Sequence, residues 1–277
     1  MFKICITVRD RLAITKKCIE AIKRHSTIDH QIYIYNNSTK FYTKQHFEYF
    51  WKLYENNLIT QVTFNTDDST FNAFGKAVAF NQFGRLHMED PNKGKYDFLL
   101  LLDNDIIVTE NFDRILTRAW RDVEKYKLDY IKIIGQMPGG IKDSVKLQQP
   151  IAGFEAKEGR LGGSGLWSMR TNFFKDVGFL NLKNLVGFFK KQDQMYWRVL
   201  SKASSKPGFY ILGLKHKLGL HCGKYTGSIC NTLSRGGLAK YEESKANFIK
   251  LEKDIESQSF SDFYEMIQND KEIVRSW

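Results

Sequence analysis

Proline is scarce in this chain, with four residues in 277, and no run of Pro, Ser or Gly is long enough to serve as a linker. The length suits one large α/β domain, or two small ones, with a sizeable buried core, and neither an internal repeat nor a clear boundary divides it. Cysteine is equally sparse. Cys5, Cys18, Cys222 and Cys230 form no CxxC pair, and Cys5 lies in an apparent core strand, so the expectation is reduced thiols in a cytoplasmic protein. No stretch reaches the roughly 20 apolar residues needed to span a bilayer. The opening Met-Phe-Lys-Ile-Cys-Ile-Thr-Val enters a strand at once and lacks the layout of a signal peptide. A soluble intracellular enzyme is the expectation.

Acidic residues are missing from one region in particular. Residues 183–240 hold 11 Lys/Arg against a single acid, Asp193, while the remaining chain holds 31 basic and 30 acidic residues, so the net charge of +11 is concentrated there. A solvated basic face is the plain reading. So one-sided a segment also suits a polyanionic partner such as nucleic acid, anionic lipid or a diphosphate.

What the chain does have is an alternation of apolar strands and amphipathic helices. Strands are expected at Phe2–Val8, Gln31–Tyr35, Ile59–Asn65, Tyr96–Leu102, Tyr130–Ile134 and Phe209–Leu214. Helices are expected at Leu12–His25, His46–Asn56, Asn72–Met88, Asn111–Tyr126, Thr171–Val177 and Gln192–Ala203, with Ala239–Ser257 closing the chain. Between them, Met137–Gly165 reads as a functional loop, and Leu218–Gly237 is glycine-dotted and polar. Strands alternating with helices at this spacing predict an α/β fold with a mostly parallel central sheet flanked by helices.

The clearest chemistry sits at Asp103-Asn104-Asp105, directly after Leu99-Leu100-Leu101-Leu102. Carboxylates at i and i+2 at the end of a buried parallel strand point into the crevice where open α/β sheets bind ligands. They repel each other unless a cation joins them, and Mg²⁺ or Mn²⁺ prefers such oxygen ligands. The bland alternative is a pair of solvated strand-end aspartates, which the four leucines argue against. Trp167 and Trp197 offer rings for stacking on a sugar or base, with core packing as the plainer role. His25, His30, His46 and His87 are read as surface histidines.

In order and spacing, residues 1–225 resemble the GT-A glycosyltransferases, in particular the large family 2 group. Thr7-Val8-Arg9-Asp10-Arg11 stands where that group has a Pro-Thr-Tyr-Asn-Arg type segment, nearer the Phe-Arg-Asn-Arg of β-1,4-galactosyltransferases. Tyr35-Asn36-Asn37-Ser38-Thr39 matches its Asp-Asn-Gly-Ser-Thr type turn, and Phe74-Gly75-Lys76 with Asn81 matches a helix facing the donor. Asp103-Asn104-Asp105 is the DxD triplet. Gly162-Gly163-Ser164-Gly165-Leu166-Trp167 through Val177-Gly178-Phe179-Leu180 resembles the family's glycine-rich segment. Gln192-Asp193 falls on its Glu-Asp acceptor motif, and His221 on a late metal-ligand histidine, with His216 as the fallback. The turn at Tyr35–Ser38 lacks the carboxylate that often reads uracil, which leaves the donor base open, with Asp67 or Asp68 as substitutes.

The resemblance implies one GT-A domain over residues 1–277, about 1–108 binding a nucleotide sugar, with a UDP-sugar as the expected donor, and 109–277 shaping the acceptor site. It implies donor contacts from Thr7, Arg9, Arg11, Asn36, Asn37, Gly75, Lys76, Asn81 and Asn104. It places Mn²⁺ or Mg²⁺ on Asp103, Asp105 and His221. Asp193 would be the base of an inverting transfer, against the plain role of a favourable acid at a helix N-terminus. Gly163, Trp167, Lys190, Lys191 and Gln192 belong to the acceptor side, and Lys224, Tyr225 and Arg235 to a loop over the diphosphate. Two acceptors compete: a glycan or lipid-linked saccharide at the cytoplasmic membrane face, or a hydroxymethylated pyrimidine in DNA, as in viral enzymes acting in the host cytoplasm. The charge between 183 and 240 favours DNA. A nucleotidyltransferase ranks below both, because Arg9–Thr15 contains no glycine for a phosphate loop.

Overall fold

The computed structural model of the chain describes residues 1–38, 43–65, 75–136, 142–160, 165–180, 205–206, 210–222 and 249–270. Its first half alternates strand and helix: β1 (Phe2–Val8), α1 (Leu12–His25), β2 (His30–Asn36), α2 (Thr43–Glu55), β3 (Gln61–Phe64), α3 (Gly75–Glu89) and β4 (Phe98–Asp103). The short strand β5 (Ile106–Val108), α4 (Phe112–Lys125), β6 (Ile133–Gln136), β7 (Lys142–Lys146), β8 (Ala156–Arg160), β9 (Leu166–Met169), α5 (Phe173–Val177), β10 (Ile211–Leu214) and β11 (Gly219–His221) follow. Residues 249–257 are helical (α6), and α7 is Phe260–Asn269.

Nine of the described strands form one sheet in the order β3-β2-β1-β4-β9-β6-β10-β8-β7, and β11 pairs with β5 in a separate ribbon. β3, β2, β1 and β4 run parallel, while β9 enters antiparallel between β4 and β6. The sheet is thus mixed, parallel through its first half. The chain leaves β1 for β2 and β3 on one side and returns to lay β4 on the other. That reversal opens a crevice at the carboxyl ends of β1 and β4, where open α/β sheets bind ligands.

The four leucines of β4 explain its central place. Leu100 and Leu102 enter the core that α1, α2, α4 and α7 cover, and Leu99 and Leu101 enter the opposite core beneath α3 and α5. A strand buried on both faces needs apolar side chains at every position, and burying each leucine stabilises by about 1.5–3 kcal/mol. Gly84 lets α3 approach closely, since a Cβ there would meet the Phe174 ring at 2.5 Å.

Several expectations need correction. Met137–Gly165 is more than a loop, for it carries β7 and β8, paired antiparallel. The expected strand at Tyr130–Ile134 is displaced to Ile133–Gln136, and the Tyr130 hydroxyl instead donates to Glu158. β9 is a strand where none is expected, directly after the glycine-rich segment. α6 does not close the chain, because α7 follows it, with Ser259 accepting from Asp262 N at 3.1 Å as its N-cap. His25, His46 and His87 are buried rather than on the surface. His25 Nδ1 lies 2.7 Å from the Val108 carbonyl, His87 Nε2 lies 2.7 Å from that of Thr171, and burial lowers His46 to about 4. The helix expected at Gln192–Ala203 lies outside the described residues. Cys5, Cys18 and Cys222 are free and buried, and burial pushes the Cys5 thiol up to about 12. Among the described residues no helix is long and apolar enough to cross a membrane.

Candidate active site

The crevice is built from three turns. β1 ends in a corner where Asp10 and Arg11 both take left-handed backbone, with φ of 51° and 61°. Such a conformation costs a non-glycine residue about 1–2 kcal/mol, and consecutive outliers of this kind cluster where surrounding contacts hold them for a purpose. Those contacts are visible. The Asp10 amide donates to Ser38 Oγ at 3.0 Å, and Ser38 Oγ donates to Asn36 Oδ1 at 2.6 Å. Asn104 Nδ2 reaches the Asp10 carbonyl at 3.2 Å and Thr15 Oγ1 at 2.8 Å. The β2 turn is pinned in the same way: the Asn37 amide donates to the Val8 carbonyl at 2.8 Å, and Asn65 Nδ2 donates to Asn37 Oδ1 at 2.7 Å.

Asp103 and Asp105 stand at the head of this arrangement. Thr7 Oγ1 donates to Asp103 Oδ1 at 3.0 Å, and Lys76 Nζ, one residue into α3, meets the same oxygen at 2.6 Å. Arg11 Nη1 meets Asp105 Oδ2 at 2.6 Å. His221 Nε2 lies 3.6 Å from that oxygen, placed by the pairing of β11 with β5 and by the Cys222 amide, which donates to the Asp105 carbonyl at 2.8 Å. Burial holds the Asp103 carboxyl above its ordinary range; the Lys76 ammonium opposes this and the neighbouring Asp105 adds to it. Each carboxylate has a cation on one oxygen and keeps another oxygen free of protein donors among the described residues.

Those two oxygens fit a hard divalent cation, but incompletely. Among the described residues no group of three His, Cys, Asp or Glu is gathered tightly enough to hold an ion by protein ligands alone. An ion held here would take its remaining ligands from a phosphate-bearing substrate, as Mg²⁺ sites built on one or two carboxylates do.

Of the residues singled out in the sequence, Thr7, Arg11, Lys76, Asp103, Asp105 and His221 converge on one cluster, with Asn36 and Asn37 at the adjoining turn. Arg9 is partly exposed beside the corner, and Gly75 opens α3. Four expectations change. Asn81 does not face a donor: its amide is buried, donating to the Leu180 carbonyl and accepting from the Leu180 amide, each at 2.8 Å, which ties α3 to the segment after α5. Asn104 is buried as well and holds the triplet against the β1 corner. Trp167 is fully buried on β9, its ring edge-on to Phe80 at 6.4 Å, and cannot stack on an acceptor. His216 stacks on Phe154 at 4.4 Å and takes no part in the Asp105 cluster. Asp67, Asp68, Gly163, Lys190, Lys191, Gln192, Asp193, Trp197, Lys224, Tyr225 and Arg235 lie outside the described residues.

One participant escaped the sequence. A carboxylate oxygen of Glu252, on α6, accepts the Ala13 amide at 2.8 Å and so supplies the N-terminal cap that Arg11 does not. Burial raises the Glu252 carboxyl to about 7, with Ala13, Arg11 and Lys16 opposing the rise. Nothing local marks it, since the two residues are 239 positions apart.

No protein-family model and no curated protein matches the sequence. In backbone the chain is similar to S. aureus TarS in complex with UDP, with a TM-score of 0.46 and 12% identity over 79% of this chain and 59% of that one. It is also similar to the mannosyltransferase PcManGT from Pyrobaculum calidifontis in complex with GDP-Man and Mn²⁺, with a TM-score of 0.45 and 10% identity over 76% of this chain and 56% of that one. An active-site mutant of LgtC gives a TM-score of 0.37 and 9% identity over 69% of this chain and 64% of that one. The chain spans less than two thirds of the length of each.

Proposed function

We propose that this protein is a glycosyltransferase of the GT-A type, moving a sugar from a nucleoside diphosphate donor to an acceptor hydroxyl. The observation that carries the reading is the pair Asp103 and Asp105 at the carboxyl edge of a core strand. They sit at the sheet's switch point, and Lys76 and Arg11 stand against them. A diphosphate binds where cations and strand ends converge, and the Asn36-Asn37-Ser38 turn beside it suits the nucleoside. Asp103 and Asp105 would hold Mn²⁺ or Mg²⁺ through their free oxygens, with His221 beside Asp105 and the donor phosphates completing the ligand set, and the ion would supply charge neutralisation for the departing diphosphate. Lys76 and Arg11 add positive charge along the same path.

On the acceptor side, Asp193 is the proposed base, taking the hydroxyl's proton as it attacks the anomeric carbon from the face opposite the leaving group. The acceptor we favour is a hydroxymethylated pyrimidine in DNA, because residues 183–240 carry almost the whole net charge of the chain. A glycan or lipid-linked saccharide is the rival, and a neutral sugar would not call for that charge.

A panel of nucleotide sugars incubated with Mn²⁺, with and without duplex DNA containing 5-hydroxymethylcytosine, tests the reading. Turnover of one donor, lost in EDTA and in Asp105→Ala, is expected. No turnover of any donor with either acceptor class overturns it, and full activity in EDTA removes the metal.

A further inference from the structure

A second polar cavity lies at the opposite edge of the sheet. Asp97 immediately precedes β4 and Arg170 immediately follows β9, and because Leu99 pairs with Met169 the two residues share one edge. At about 3.3 Å per strand residue, Asp97 is roughly 20 Å along β4 from Asp103. The cavity is a cleft open to solvent, with a volume of about 360 Å³, lined in part by Asp97, Thr117, Trp120, Arg121, Glu124 and Arg170. The α4 residues recur at helical spacing, so one face of that helix forms a wall.

Two features distinguish this cavity from an ordinary surface hollow. Arg170 makes no ion pair among the described residues: its guanidinium lies over the Trp120 ring, 5.4 Å from the centroid, and its buried Nη2 meets no protein acceptor. Trp120 is itself held in place, donating from Nε1 to Ser168 Oγ at 2.8 Å. On the same α4 wall, one turn before Trp120, the buried Thr117 Oγ1 also lacks a protein partner. A planar guanidinium fixed by ring stacking, with donors uncommitted, is a receptor for a bidentate oxyanion. Arg121 adds a second cation from α4, while Glu124, Thr117 and the Oδ1 atom of Asp97, whose Oδ2 accepts from the N-terminal ammonium at 2.7 Å, provide acceptors for hydroxyl groups.

We propose that this cavity binds a small phosphate ester bearing hydroxyl groups, its oxyanion on Arg170 and Arg121 and its hydroxyls toward Asp97, Glu124 and Thr117. The site is separate from the crevice at Asp103 and does not depend on the reading of that crevice.

Calorimetric titration of the full chain at low ionic strength, with ribose 5-phosphate, inorganic phosphate and ribose as probes, tests this. Saturable binding is expected for ribose 5-phosphate, weaker binding for inorganic phosphate and none for ribose. Arg170→Gln is expected to weaken the ester by at least about tenfold, which corresponds to about 1.4 kcal/mol. Circular dichroism checks that this variant folds. Arg121→Gln, at an exposed helix position, gives an independent loss of affinity should Arg170→Gln fail to fold. Lys76→Ala is expected to leave the binding intact. No saturable binding of ribose 5-phosphate, affinity unchanged in the arginine variants, or loss of binding in Lys76→Ala each overturns the proposal.

Discussion

Thr7 on β1 and Asp103 on β4 are register partners in adjacent parallel strands, and the threonine hydroxyl donates to Asp103 Oδ1 at 3.0 Å. The bond fixes which carboxylate oxygen faces the crevice, because Oδ1 also receives Lys76 and Oδ2 is left for a ligand. Groups that orient a ligating carboxylate typically account for about 10–100-fold in metal affinity. Thr7→Val keeps the side chain's shape and removes the donor. We expect it to weaken Mn²⁺-dependent binding of the donor nucleotide by about that factor, with an unchanged circular dichroism spectrum. Unchanged affinity in a nucleotide titration with Mn²⁺ would show that Asp103 is oriented without Thr7.

Much of this site was legible because its signals are local. Leu99 to Leu102 read as a strand buried on both faces, and the two aspartates after them could only stand at its end. Lys76 and Arg11 fell at the starts of helices, and both helices begin at the crevice. What stayed hidden was set by distant pairing. Asn81 reads as a polar residue on a helix face, and only the fold brings the Leu180 backbone against it. β7, with Lys-Asp-Ser-Val-Lys, has a single apolar residue and resembles a loop until β8 is beside it. Trp167 follows glycines that suggest a mobile segment, yet its strand is clamped between β4 and β6. The buried histidines failed for the same reason, since each answers a carbonyl or a core supplied by another element.

Glu252 makes stability fall as pH rises. Its carboxyl is raised from 4.5 to about 7 in the fold, chiefly by burial. The folded state therefore keeps the proton over a range in which the unfolded chain has lost it. The stabilisation is complete below the unfolded value and disappears as pH climbs through the folded one. Gln at this position still accepts the Ala13 amide but cannot ionise. The Tm of Glu252→Gln should match that of the original protein near about pH 4 and exceed it near about pH 8. Scanning calorimetry at the two values checks this, and parallel shifts of both proteins would mean that α6 is indifferent to the charge.

Asp193 carries a prediction about stereochemistry. A base that deprotonates the acceptor as it attacks opposite the leaving diphosphate gives inversion at the anomeric carbon. Asp193→Asn should lower kcat by about 10²–10⁴-fold, the usual worth of a positioned base, with donor affinity preserved. Proton NMR of the first-formed product reports the anomer directly. Retention of the donor's configuration would remove the need for a base at this position, whatever the variant's rate.

The acceptor gives the last prediction. Lys190, Lys191, Arg198 and Lys202 flank or follow Asp193 in a segment with no other acid, whereas Lys206, expected to join them, pairs instead with Glu158 over the Tyr130 ring. If duplex DNA is the acceptor, these cations neutralise phosphates and hold the strand, while one modified base reaches the carboxylate. A hydroxymethyl group inside the stack is reached by flipping its base, which costs a few kcal/mol that phosphate contacts offset. Neutralised phosphates release counterions, so log K should fall by about 0.9 per contact against log salt. Replacing Lys190 and Lys191 with Ala removes two contacts, and the slope should flatten by about 1.8 while Mn²⁺-dependent donor binding stays the same. Fluorescence anisotropy with a hydroxymethylated duplex, from low to physiological salt, measures both slopes. A protein that ignores DNA at low salt yet transfers sugar to a glycan or lipid acceptor would assign the basic segment to a different anion, with an anionic membrane surface as the first alternative.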